Sequence, residues 1–183
     1  MHKKMLVTFA VVALAITSAM AGSNPTVGGK EMYPTKNIIE NAVNSADYTT
    51  LVAAVKAAGL VDTLEGTGPF TVFAPTNEAF NKLPAGTVDT LLKPENKATL
   101  TKVLTYHVVA GRLSARDLMK KIKEGKGIAE LTTVEGGKLW AMSEDGKHIT
   151  LKDEKGGMSM VTIPNLFQSN GVIHVVDTVV MPN

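Results

Sequence analysis

Apolar positions along this chain follow two different periods. From Thr35 to Leu104 they recur every three or four residues, and from Ile128 to Val176 they mostly alternate. The first period is that of helices with one buried stripe, and the second that of strands with one buried face. Thr35 is placed to cap a helix carrying Ile38, Ile39, Ala42 and Val43, which Asn44–Asp47 ends. A second helix is predicted over Thr49–Ala58, closed by Gly59. Phe70–Ala74 is apolar on both faces and predicts a strand buried on two sides, stopped by Pro75. Thr76 or Asn77 then caps a helix holding Ala79 and Phe80. Short helices follow around Val88–Leu92 and over Glu95–Leu104, and Tyr106–Val109 reads as a strand. Ser114 to Asp117 has the form of a capping box before Leu118, Met119 and Ile122.

The change of period comes at Ile128. Ile128–Val134, Lys138–Met142, His148–Lys152 and Ser159–Ile163 read as strands joined by Gly-containing turns, with Val172–Val176 and Val179–Val180 last. Pro164–Phe167 reads as a connection. Helices first and antiparallel strands later predict an α+β fold.

The first residues belong to neither pattern. Met1–Ala21 has a basic start at His2, Lys3 and Lys4, an apolar run from Met5 to Ile16, and the small-residue motif Ala19-Met20-Ala21. It is expected to be a signal peptide cleaved before Gly22, because the run is short for a span of about 20 residues. Residues 22–32 are expected to be a flexible leader, and residues 33–183 the folded domain. Export leads to the periplasm or the outside of the cell.

Removing that segment changes the charge. The whole chain has 19 Lys+Arg and 17 Asp+Glu, and loss of Lys3 and Lys4 leaves 17 of each, for no net charge. No basic face argues for nucleic acid. Lys120, Lys121, Lys123 and Lys126 crowd one helix, where a solvated face is the simplest reading. The chain has no cysteine, so it is held by its core and has no thiolate chemistry.

Candidate chemistry is sparse. His107, His148 and His174 lack zinc-ligand spacing, and there is no nucleophile elbow, P-loop or dinucleotide fingerprint. No catalytic residue, metal site or cofactor is expected. His107 and His174 stand in apolar surroundings, where a histidine usually bonds the backbone. Trp140 is the sole tryptophan. It is expected to pack, and if exposed it is the first candidate for an interface anchor. Leu166 and Phe167 are either tucked in or a surface contact.

Three stretches carry a family resemblance. Thr71–Phe80 (Thr-Val-Phe-Ala-Pro-Thr-Asn-Glu-Ala-Phe) resembles the first signature box of the fasciclin domain. Val103–Val109 resembles its Tyr-His segment, and Ser169–Pro182 its second box, in the family's order. The resemblance covers about Tyr33–Pro182. It implies a wedge-shaped β-sandwich with several helices at one end, mainly from the N-terminal half. It also implies adhesion, and Tyr106 and His107 match a segment tied both to adhesion and to support of the fold.

Thr76, Asn77, Tyr106, His107, Gly171, His174 and Asp177 are therefore family-motif positions expected to act mainly in the fold. Gly171, after Asn170, is expected to serve a tight turn with positive φ. Animal relatives carry an Asp-Ile integrin motif just before the second box. Here Met160–Gln168 has no Asp, so that role is not carried over. The function expected is a non-enzymatic, exported, monomeric binding module for a cell-surface or extracellular protein or polysaccharide. The alternatives are an envelope small-molecule carrier or enzyme, hinted at by the two histidines and nine methionines, and an assembly subunit pairing through sheet edges.

Overall fold

The computed structural model describes residues 24–183. The expected signal peptide, 1–21, lies outside the described residues. The chain begins with a small hairpin, β1 (Thr26–Val27) and β2 (Lys30–Glu31). Helices α1 (Ile38–Ala42), α2 (Thr49–Ala58) and α3 (Val61–Glu65) follow, then strand β3 (Phe70–Pro75). Next come α4 (Asn77–Asn81), α5 (Thr87–Leu91), α6 (Lys97–Tyr106), β4 (Val108–Ala110) and α7 (Ala115–Glu124). The chain ends in β5 (Ile128–Thr132), β6 (Lys138–Met142), β7 (Thr150–Lys152), β8 (Met158–Gln168) and β9 (Gly171–Val176). This is the α+β architecture that the change of period predicts.

One sheet of seven strands, ordered β4-β3-β9-β8-β7-β6-β5, carries the fold. β3 pairs parallel with β9, and every other neighbouring pair in it is antiparallel. The sheet curls until its ends meet. Val109 bridges Thr133, and the Val134 N–H donates to the Val108 carbonyl at 2.8 Å. Closure of this kind removes exposed edges from a sheet.

β3 and β9 divide the core in two because both of their faces are apolar. On one side they pack against α1, α2, α4 and α6 through Val72, Ala74, Ile173 and Val175. On the other, Phe73 and Val176 meet Leu131, Leu139, Leu151 and Val161 inside the curl, with Leu118 and Ile122 of α7. α7 starts at the expected capping box, in which Ser114 and Asp117 bond each other's backbone. α2 ends at Gly59 with φ 73°.

Four expectations are corrected. The flexible leader is part of the fold from Asn24 onward. Gly28 and Gly29, at φ 57° and 73°, turn the hairpin, and Val27 and Met32 are buried in the helical core. Its strands are too short to show alternation, so the paired glycines read as flexibility. Tyr106 is not in a strand: α6 runs through it, and His107 caps the helix. Pro164–Phe167 is not a connection but part of β8. That strand tolerates the proline because its register with β9 breaks on either side of Ile163, and Asn165 has φ 63°. Gly171 is needed for close approach rather than for positive φ. A Cβ there would collide with the Phe70 carbonyl and meet Ile38.

Candidate binding surface

Tyr106, His107 and His174 turn inward. The Tyr106 hydroxyl donates to the Lys138 carbonyl and accepts the Glu154 N–H at 3.2 Å, tying α6 to β6 and to the β7–β8 turn. Burial pushes its pKa up to about 12. His107 donates from Nδ1 to the Val103 carbonyl at 2.8 Å and accepts the Val180 N–H on Nε2 at 3.2 Å. Burial lowers its pKa to about 4. His174 donates from Nε2 to the Leu113 carbonyl at 2.8 Å and accepts the Asn165 N–H at 3.3 Å. It stacks on Phe73 with centroids 5.7 Å apart, and burial lowers its pKa as well. Each ring has both nitrogens committed to backbone, which removes the basis for a carrier or enzyme built on these histidines.

The other motif positions are clasps. Thr76 caps α4 through the Ala79 N–H. The Asn77 carboxamide accepts from the Thr50 N–H at 3.0 Å and the Thr49 hydroxyl at 3.1 Å, and donates to the Ala46 carbonyl at 2.8 Å. Asp177 accepts the Met160 N–H at 2.8 Å and pairs with Lys82 at 3.3 Å. Asn170, unmarked as a site in the sequence, is equally connected and is buried. It accepts the Ile38 N–H at 3.0 Å and donates to the Leu64 and Gly66 carbonyls at 2.7 and 2.9 Å.

The surface candidates separate. Leu166 is wholly buried, a correction to its candidacy for contact, whereas its neighbour Phe167 is 41% exposed. The bulges in β8 turn Leu166 into the helical core and Phe167 outward.

A group of exposed and half-buried apolar side chains lies on the outer face of β5–β8. Alternation places Ala129, Leu131, Leu139, Ala141 and Leu151 inward and Ile128, Trp140, Met142, Met158 and Met160 outward. Register brings the outward set together: Ile128 lies opposite Met142, and Met142 and Met160 both flank Thr150. Ile128, Met158 and Met160 are 50%, 45% and 44% exposed, and Trp140 and Met142 are half-buried. A sheet face in contact with water normally carries polar residues, so this one fits a contact. Beside it Trp140, Met142 and Ile128 wall a cleft of about 570 Å³ whose other side is Lys152–Gly156. The sequence named Trp140, but the methionine row depended on register across four strands.

The sequence profile of the Fasciclin domain matches residues 46–182. This chain belongs to the fasciclin domain family. Protein sll1483 of Synechocystis is 41% identical, the match covering 94% of this chain and 96% of that protein. The cell surface glycolipoprotein MPB83 of Mycobacterium bovis is 34% identical over 88% of this chain and 68% of its own length. Among solved structures, the domain pair of the insect cell adhesion molecule Fasciclin I superposes with a TM-score of 0.68 at 19% identity, covering 78% of this chain. This chain spans about half that structure's length, 50%. At that identity the likeness shows the fold, and this fasciclin domain is the same wedge of curled sheet and helices. No helix among the described residues is long and apolar enough to cross a membrane.

Proposed function

We propose that this fasciclin domain is an exported binding module that makes non-catalytic contacts with a cell-surface or extracellular protein or polysaccharide. One observation carries the reading: five apolar side chains, the sole tryptophan among them, share the outer face of β5–β8 while Tyr106, His107 and His174 are buried and committed inside. Large exposed apolar groups gathered on one face are characteristic of interaction sites. The relatives named above for the cell surface and for adhesion support an extracytoplasmic setting, as does the N-terminal segment with its Ala19-Met20-Ala21 motif. Pairing through sheet edges is disfavoured, because β4 meets residues 133–134 where an edge would lie.

The test is proton–nitrogen NMR of the purified chain, titrated first with envelope polysaccharide and then with periplasmic extract. Shifts confined to Ile128, Trp140, Met142, Met158, Met160 and their neighbours are expected. Shifts confined to another face, or none with either addition, overturn the assignment.

A further inference from the structure

We infer that the Trp140 cleft is a subsite for an acidic saccharide, with a uronic-acid carboxylate held by Lys152 and Lys155 and the sugar ring laid on the indole. This inference rests on the binding-module reading and names the class of ligand.

Charge at the cleft carries the argument. Its walls hold two acids and two lysines. Both acids are already occupied. Asp153 is buried and accepts the N–H groups of Lys155, Gly157 and Met181 at 3.0, 2.6 and 2.9 Å. Glu154 accepts the N–H groups of Lys138 and Asn183 at 2.8 and 3.0 Å, and these bonds hold its carboxyl below the usual range. The Lys152 and Lys155 ammonium groups have no hydrogen-bond or ion-pair partner among the described residues. The acids serve the turn, and the cations are left for a ligand.

The indole lies beside one of these lysines. Trp140 lies between Glu130 and Lys152 in cross-strand register. Glu130 pairs with Lys138 at 2.7 Å. Its carboxyl lies below the usual range, chiefly through Lys138. Among the described residues the only cation over an aromatic ring is Lys36 on Tyr33, so Lys152 does not cover the indole. An apolar wall with a few convergent polar groups is the usual make-up of a small-ligand site. An apolar peptide has no use for two unpaired cations, and a neutral sugar would leave them unmatched.

Trp140 fluorescence reports on the cleft directly, because the chain has no other tryptophan. The purified chain is titrated with trigalacturonic acid, with neutral maltotriose and with periplasmic extract. Saturable change is expected with the uronate only or more tightly, weakening as salt rises. Lys152→Gln with Lys155→Gln is expected to weaken uronate binding about tenfold or more. Both side chains are exposed, so circular dichroism should be unchanged. A response to extract but not to the uronate overturns the saccharide assignment and leaves the binding-module reading standing. Equal affinity for maltotriose, or uronate binding indifferent to the double substitution, also overturns it. No response to any of the three defeats both.

Discussion

The His107 ring accepts the Val180 N–H at 3.2 Å across 73 positions of sequence, while its other nitrogen donates back into α6. The C-terminal segment is thus latched to the helix end by a neutral imidazole. Burial lowers the His107 pKa from 6.5 to about 4, so the unfolded chain binds the proton more readily. The latch stabilises fully above pH 6.5 and is lost as the pH falls toward 4. That drop is worth about 3 kcal/mol. His174, also lowered, acts in the same direction. Chemical denaturation at pH 7, 5.5 and 4 should show the decline, and His107→Gln should flatten part of it while lowering stability at pH 7. Carboxylates lowered by their bonds, such as Glu154, act at more acid pH.

Gly171→Ala should destabilise by about 3 kcal/mol or prevent folding, because the added methyl enters the Phe70 carbonyl on the neighbouring parallel strand. Gly136→Ala is the control. Its φ of 103° makes it costly for conformational reasons alone, since its Cβ would meet nothing within 4 Å. Thermal unfolding of the two should show the larger loss at Gly171.

Asn170→Ala should cost more than Asn77→Ala. Both carboxamides make three bonds, but Asn170 is buried and its removal strands the Ile38 N–H and the Leu64 carbonyl away from water. About 3 kcal/mol is expected for Asn170 and about 1–2 for Asn77. Urea midpoints measure the difference.

Leu166→Ala and Phe167→Ala should differ although the residues are adjacent. The first opens a hole in the helical core and should cost about 3 kcal/mol. The second removes a largely exposed ring and should cost under about 1 kcal/mol. Equal losses in calorimetry would contradict the β8 bulges.

Tyr48→Phe should leave stability unchanged or raise it by up to about 1 kcal/mol. The Tyr48 hydroxyl is buried without a hydrogen-bond partner among the described residues, beside an apolar cavity of about 30 Å³. A loss above about 1 kcal/mol in denaturant would show that the hydroxyl is satisfied.

Elements with strong local signals were legible in the sequence. The α2 stripe with its Gly59 stop, the Ser114 box and the two-sided apolar run of β3 all appear where their residues predict. What failed depended on contacts far along the chain. Tyr106 and His107 look like strand residues because they are aromatic and followed by valines, yet α6 runs through Tyr106 and the His107 ring caps its end at the Val103 carbonyl. Gly171 is explained only by β3 lying beside it. The methionine row is invisible without register, since Met142 and Met160 touch the same neighbour from different strands.

β9 is the last strand made and the wall common to both halves of the core. Its parallel partner β3 lies about a hundred positions earlier, with Phe70 opposite Gly171. Such distant pairing closes late because the whole intervening chain must be ordered first. A chain emerging from a ribosome or a membrane pore therefore carries its helices and most of its strands with no finished interior. Assembly of the domain therefore waits for β9. The same dependence makes trimming from the C-terminus far more damaging than trimming the β1–β2 hairpin.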